Sequence, residues 1–320
     1  GLKIVKVGSI GTLRSMPLSP TFPSWMRKIK ADILHFHLPF PLSVISYFLA
    51  KPRGKIVVTW HSDIVRQKIG RFFYKPFLVK FLEKADVIIA TSPNMIESSP
   101  YLRRFKKKCK AAPLGIDVER FKLKEDGEKK AEEIRKKYMF GKGIVLFVGR
   151  LIYYKGVEFL IRAMKDVDGA CLIIGEGRLR KKLEKMVEEF GLSSKVHFLG
   201  SVSDDELPLY YHACDIFCLP SVARSEAFGI VQLEAMACGK PCVSTSLSTG
   251  VPFVNQDGKT GIVVPPKNPQ ALAEAINTLL DDPALREKYG KYAKERVKRE
   301  FTREVMVHRI MEVYRGMAGK

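Results

Sequence analysis

No apolar run of about 18 residues, the length a helix needs to span a bilayer, occurs in the sequence. The longest candidate, Leu38–Ala50, is short and contains Pro39 and Pro41. A secretory leader is also lacking, and the two absences together predict a soluble or peripheral protein. Cysteine is scarce, with six in 320 residues, too few for a disulfide framework in so long a chain. The pairs Cys214/Cys218 and Cys238/Cys242 lack the C-x-x-C spacing of structural zinc. Together with Cys109 and Cys171 they are expected to be reduced core fillers, with the cytosol as the natural setting. No internal repeat or low-complexity tract is present, which leaves ordinary globular domains.

Acidic residues are also in deficit, 34 against 55 Lys and Arg. The deficit is local. Residues 1–120 hold 22 Lys/Arg and 7 Asp/Glu, net +15, whereas the remaining 200 hold 33 against 27, net +6. Such a bias favours an anionic partner: nucleic acid, an anionic membrane surface or a phosphorylated substrate. Length and 46% apolar content are enough for two conventional cores.

Short β-branched runs (Ile4–Val7, Ile33–Phe36, Ile56–Trp60, Val87–Ala90, Ile144–Val148, Cys171–Ile174, Val196–Leu199, Ile216–Leu219, Pro241–Thr245) alternate with segments of helical period. Among the latter are Val157–Met164, Leu179–Phe190, Glu206–Ala213 and Val231–Ala237. This alternation predicts βαβ units and parallel sheets, an α/β fold. The Lys- and Glu-rich stretch Lys122–Lys137 reads as a solvated linker and helix. The expected domains are therefore 1–121 and 122–302, followed by a last helix in 303–320. After Thr260–Pro266 the pattern turns all helical, with Asp282-Pro283 as a stop and restart.

Three constellations could carry chemistry. Glu226 and Glu234 flank Ala227-Phe228-Gly229 and a helical run from Ile230. A helix start there offers free backbone N–H groups to a diphosphate and carboxylates to sugar hydroxyls; the alternative is two ordinary helix-edge glutamates. Arg150 and Lys155, in Gly149-Arg150-Leu151-Ile152-Tyr153-Tyr154-Lys155-Gly156, follow a strand where open α/β sheets bind ligands. Their two cations could hold a departing diphosphate or could simply be solvated. Gly175-Glu176-Gly177 permits close backbone approach to a ligand but lacks the third glycine of the dinucleotide fingerprint.

Other features are more ambiguous. His61 ends a strand before Ser62-Asp63 and reads equally as a ligand-facing group or a structural hydrogen-bonder. Asp166-Val167-Asp168 has the paired form of a metal site, yet its place between a helix and a strand favours a turn. Arg66–Lys84 interleaves six cations with Phe72, Phe73, Phe77, Leu78 and Phe81, and Arg103–Lys110 adds a second basic cluster. That segment suits an anionic membrane surface, or packs its apolar side on the sheet with lysines outside. No nucleic-acid module surrounds it, so nucleic acid is not an expected partner.

Taken together, Gly149-Arg150…Lys155-Gly156, Gly175-Glu176-Gly177 and Ser225-Glu226-Ala227-Phe228-Gly229…Glu234-Ala235-Met236-Ala237-Cys238-Gly239-Lys240-Pro241 resemble glycosyltransferase family four, the retaining group 1 transferases. The resemblance runs from about Val87 to the C-terminus. Trp60-His61-Ser62-Asp63-Ile64-Val65 is similar to a subgroup that builds surface polysaccharides. It implies a GT-B fold of two Rossmann-like domains facing across a cleft, with the last helix, Arg303–Met317, crossing back to the N-terminal domain. It also implies roles: Arg150 and Lys155 on the donor diphosphate, Glu226 and His61 on the transferred sugar, Glu234 on the ribose hydroxyls. Backbone at Phe228, Gly229 and Ile230 would face sugar and phosphate, Gly149, Gly175 and Gly177 would line the donor, and residues near Gly200–Val202 the base.

The implied activity is metal-independent transfer of a hexose, mannose in the first instance, from a GDP- or UDP-sugar to a lipid-linked or glycolipid acceptor. No cofactor beyond the donor is implied. The expected location is the inner face of the cell membrane, with the basic N-terminal region on the anionic surface. Members usually begin with a strand and a Gly-Gly loop, and nothing before Leu2–Val7 supplies them, so an incomplete N-terminal domain is expected. Two other readings stand beside this one: a nucleotide-sugar epimerase of the same fold, and a non-catalytic nucleotide-sugar or polyanion-binding protein.

Overall fold

The computed structural model describes residues 4–13, 16–64 and 68–318, so Leu2, Val65 and Arg66 of the sequence reading lie outside the described residues. The chain divides into two compact units, Gly1–Ala112 with Arg309–Lys320, and Pro113–His308.

In the first unit an antiparallel hairpin, β1 (Gly11–Leu13) and β2 (Met16–Leu18), precedes a parallel sheet. Its strands lie in the order β3 (Ile33–Leu38), β4 (Lys55–Trp60), β5 (Val87–Ala90), β6 (Cys109–Ala111). Helix α1 (Phe22–Arg27) precedes β3, and α2 (Pro41–Ala50), α3 (Lys68–Lys84) and α4 (Pro93–Ser98) make the crossovers that parallel pairing requires. Proline opens α2 and α4, where its fixed φ suits the first turn and no N–H is needed, and Ser92 caps α4 by accepting from the Met95 N–H at 3.1 Å. Ile4–Val7 forms no strand. Residues 4–9 carry no regular structure, and Ile4 is 79% exposed, so its apolar side has no partner sheet to bury against.

The second unit comprises α5 (Gly127–Tyr138), β7 (Ile144–Val148), α6 (Val157–Ala163), β8 (Ala170–Ile174), α7 (Arg180–Glu189), β9 (Val196–Gly200), α8 (Leu207–Ala213), β10 (Ile216–Leu219), α9 (Val231–Ala237), β11 (Cys242–Thr245), α10 (Val251–Val254), β12 (Gly261–Val264), α11 (Pro269–Asp281), α12 (Pro283–Glu300) and the start of α13 (Arg303–Ala318). All six strands are parallel, in the order β12-β11-β10-β7-β8-β9. Alternate residues of β7 feed two cores: Val145 and Phe147 pack with α6, α7 and α11, while Ile144, Leu146 and Val148 pack with α9 and α12. A strand covered on both faces reads as a continuous apolar run, which is why these strands were legible in the sequence.

Strand β12 was not foreseen in Thr260–Pro266. It pairs residue by residue with β11, from Cys242↔Gly261 to Thr245↔Val264, because a Cβ on Gly261 would meet the Cys242 carbonyl oxygen at 1.8 Å. The unit boundary falls at Ala112/Pro113 because Ile116 and Phe121 join the second unit's core. The charged stretch after it belongs to the same unit: Ala131 of α5 is buried, and Arg135 pairs with Asp215 at 2.8 Å. Five of the six cysteines are buried and all are free, their thiols pushed up by burial, Cys171 and Cys214 to about 12.

Candidate active site

From β7 the chain of the second unit moves outward to β8 and β9, then returns to place β10 on the other side of β7. At such a reversal the loops leaving two neighbouring strands part, opening a crevice at their carboxyl ends. Strand β7 delivers Gly149 to Gly156 there, and β10 delivers Pro220 to Ile230. Lys155 Nζ lies 2.7 Å from Glu226 Oε2, each side chain only 10% exposed. Ser221 Oγ donates to the same carboxylate oxygen at 2.9 Å, and the Ser221 carbonyl accepts from Thr245 Oγ1 at 2.5 Å.

Gly156 makes this pairing possible. Its φ is +67°, and a Cβ there would stand 2.0 Å from the Pro220 carbonyl oxygen, so only glycine lets the loop after β7 close on the end of β10. Two further bonds join the loops: Val222 N–H donates to the Tyr154 carbonyl at 2.8 Å, and the Tyr153 and Ser225 hydroxyls lie 2.9 Å apart. Arg150 is exposed, and its guanidinium donates to the Tyr154 hydroxyl at 3.1 Å.

The glycines of the neighbouring loops have a steric explanation. A Cβ on Gly175 would lie 2.1 Å from the Gly149 carbonyl oxygen, and one on Gly177 2.4 Å from that of Leu151. The close approach they permit is to the chain's own backbone, locked by Gly149 N–H to Ile174 O at 2.9 Å, Leu151 N–H to Glu176 O at 2.8 Å and Gly175 N–H to Gly200 O at 2.7 Å. A Cβ on Gly149 would in turn press on Lys155 Cε and Nζ at 3.3 and 3.4 Å.

Glu234 sits in α9 and accepts a hydrogen bond from the Tyr211 hydroxyl at 2.7 Å. Burial raises its pKa above the usual carboxylate value, and the Tyr211 bond pulls the other way. The Phe228 side chain is buried in the core, so it can offer a ligand only backbone; Gly229 adopts φ +73° and Ile230 is 39% exposed. Val202, after β9, is half-buried against the same core. Asp166 and Asp168 lie in the turn before β8, at the opposite edge of the sheet from these loops. Among the described residues no group of three or more His, Cys, Asp or Glu is arranged to hold a metal ion.

A model of the glycosyl transferases group 1 matches residues 130–296, more than half of the chain, and one of glycosyltransferase family 4 matches residues 5–120. The chain belongs to the group 1 glycosyltransferases. The D-rhamnosyltransferase WbpZ of Pseudomonas aeruginosa is 36% identical over 273 residues, 85% of this chain and 70% of that protein. The O-antigen chain mannosyltransferase C of Escherichia coli is 34% identical over 304 residues, 94% of this chain and 80% of that one. Sucrose-phosphate synthase from Thermosynechococcus elongatus superposes with a TM-score of 0.79 at 28% identity, over 93% of this chain and 76% of that one. HepE of Anabaena, solved in complex with UDP, gives 0.77 at 22% identity, over 92% and 80%, a likeness of fold. This glycosyltransferase is thus an enzyme of α/β architecture with the GT-B fold.

In the glycosyltransferase's first unit, His61 is one of three stacked imidazoles. His35 and His37 stack with centroids 4.6 Å apart, and His37 and His61 at 5.1 Å. One proton is shared between His37 Nδ1 and His61 Nε2, 2.8 Å apart; His35 reaches the Thr59 hydroxyl at 2.7 Å and that of Tyr314 in α13 at 2.5 Å. Burial first, then the charges of His37 and His61, holds the His35 pKa down at about 4. Burial also lowers those of His37 and His61. Asp63, itself buried, fixes the turn after β4 by accepting from Trp60 Nε1 at 3.2 Å and Ser99 Oγ at 2.6 Å. Sequence reasoning missed Ser221, Tyr211, His35 and His37, and quoted Gly156 in the loop motif without its steric role. For the histidines a signal existed: an H-x-H pair puts both rings on one face of a strand, beside a strand that ends in His61.

Proposed function

We propose that this enzyme is a retaining, metal-independent hexosyltransferase that moves a mannose-type sugar from a GDP- or UDP-linked donor to a lipid-linked or glycolipid acceptor in surface-polysaccharide assembly. The observation that carries the proposal is the buried Lys155–Glu226 pair at the strand-order reversal, with Arg150 beside it. The donor's diphosphate would rest against Lys155 and Arg150, whose charges stabilise the leaving group as its negative charge develops. Glu226, fixed by Ser221 and Lys155, accepts from a sugar hydroxyl; Glu234, held by Tyr211, accepts from the ribose. N–H groups at the start of α9, Gly229 and Ile230 among them, face the sugar and phosphate.

In this reading the acceptor hydroxyl attacks on the face from which the diphosphate departs, and a phosphate oxygen takes its proton. The mannosyl and rhamnosyl relatives support the sugar and the polysaccharide setting, and the UDP bound to HepE supports a nucleotide donor. The test is sugar release from a panel of GDP- and UDP-sugars with EDTA present. Turnover that persists in EDTA and collapses in Arg150→Ala and Lys155→Ala is expected. Strict dependence on a divalent ion overturns metal independence, and an inverted product anomer overturns retention.

A further inference from the structure

In the second unit, the two cations assigned to the donor's diphosphate are held in different ways. Lys155 is buried, and its charge is met by Glu226 at 2.7 Å. Arg150 is exposed, and among the described residues its guanidinium makes one bond, to a phenol instead of a carboxylate: the Tyr154 hydroxyl, 3.1 Å away. Tyr154 also serves Lys155, whose Nζ lies 5.9 Å from the centre of its ring, inside the reach of about 6 Å over which the negative face of an aromatic ring attracts a cation. The residue stands in a 3₁₀ turn, Tyr153–Lys155, and is fixed from two sides. Its carbonyl accepts from the Val222 N–H at 2.8 Å, and the Tyr153 ring stands edge-on to its own, centroids 5.4 Å apart at 84°. The Tyr153 hydroxyl lies 2.9 Å from Ser225 Oγ, in the loop that carries Glu226. Packing does not account for these two rings: both are half-buried, and neither joins the two cores that flank the six-stranded sheet.

We propose that Tyr154 is a positioning residue for the transfer step: it aims Arg150, and steadies Lys155, at the diphosphate that leaves the donor, with Tyr153 bracing it against the Glu226 loop. The neutrality of the phenol suits it to this task. A carboxylate in its place would neutralise the charge that the leaving group needs, whereas a phenol oxygen fixes the direction of the guanidinium and leaves its full positive charge to meet the diphosphate. An arginine without that bond samples many rotamers, and that freedom must be given up when the charge develops. Donors already in place avoid the cost at the moment of reaction. The inference deepens the proposed function and rests on its assignment of Arg150 and Lys155 to the diphosphate.

The experiment measures kcat and donor KM for sugar release, and Kd for GDP and UDP by calorimetric titration. The proteins compared are wild type, Tyr154→Phe, Tyr154→Leu, Arg150→Ala, Lys155→Ala and Tyr154→Phe/Arg150→Ala. A free nucleoside diphosphate carries the charge that the donor acquires only as its bond breaks, so loss of aim should weaken nucleotide binding and kcat while donor KM stays nearly level. Tyr154→Phe is expected to lower kcat, and to weaken the Kd of the preferred nucleotide, about tenfold, the worth of a hydrogen bond to a charged group. Tyr154→Leu, which also removes the ring beside Lys155, should lose about threefold more. In the Arg150→Ala background Tyr154→Phe should change nothing further, since the partner it aims is gone. Urea unfolding midpoints of Tyr154→Phe and wild type should coincide. Wild-type kinetics and Kd in Tyr154→Phe, the same loss with and without Arg150, or a loss that follows a lowered unfolding midpoint overturns the proposal. Failure of wild type to bind GDP or UDP, or undiminished binding and turnover in Arg150→Ala and Lys155→Ala, overturns the diphosphate assignment and the proposal with it; an impaired Arg150→Ala beside an unaffected Tyr154→Phe overturns the role of Tyr154 alone.

Discussion

At the scale of single residues, Lys155 and Glu226 compensate one another out of water, so removing either leaves a buried charge alone. Lys155→Ala is expected to cost about 3 kcal/mol in urea unfolding of the second unit and about a hundredfold or more in transfer rate. The double variant Lys155→Met/Glu226→Leu should recover most of the stability and none of the activity; recovery of transfer would show that the pair is structural only. Gly156→Ala forces a Cβ against Pro220 at positive φ, and a loss of about 2 kcal/mol together with a lower transfer rate is expected. Tyr211→Phe removes a donor that lowers the Glu234 pKa, so that pKa should rise further. The donor's kcat/KM should then fall about fivefold, the worth of about 1 kcal/mol for one hydrogen bond, and an unchanged value would remove Glu234 from the donor site. The sequence displayed both ends of the Lys155–Glu226 pair but neither Ser221 nor the steric role of Gly156, because a buried hydroxyl and a missing Cβ acquire meaning only from what stands opposite them.

At the scale of elements, the histidine ladder spans β3 and the end of β4, and its chemistry fixes a pH dependence. The folded state holds His35 at about 4 and lowers His37 and His61, whereas the unfolded chain returns each to about 6.5. Between these values the unfolded chain binds more protons, so stability of the first unit falls as pH falls from about 6.5 towards 4. Unfolding midpoints read between about pH 7 and 5 should track this decline, and His35→Asn should flatten it. A midpoint flat across that window in wild type would exclude the ladder as its cause. Element boundaries were largely legible: β5, β7, β10 and α9 begin and end where apolar periodicity starts and stops. The hairpin β1–β2 and β6 were not, being strands of three residues too short for any period to declare itself, and neither was β12, which opens on Gly261 and buries only two of its four residues fully.

At the scale of the whole molecule, the two units have separate cores, one around a four-stranded sheet and one around a six-stranded sheet, each sheet buried on both faces. Both tryptophans, Trp25 and Trp60, lie in the first unit, so fluorescence reports that unit alone while far-ultraviolet circular dichroism reports both. The urea transition seen by fluorescence is expected to precede the one seen by dichroism, and coincident curves would show a single cooperative molecule. The sequence by itself determined the α/β class, the parallel sheets and the family, because burial on both faces writes continuous apolar strands and glycine-bounded loops into the chain locally. Only the tertiary structure decided that Lys155 meets Glu226, that Gly175 and Gly177 serve backbone packing, and that His61 ends a ladder of three rings. Each of these depends on which strands lie side by side, and strand order is set by packing between segments distant in sequence, which no local period records.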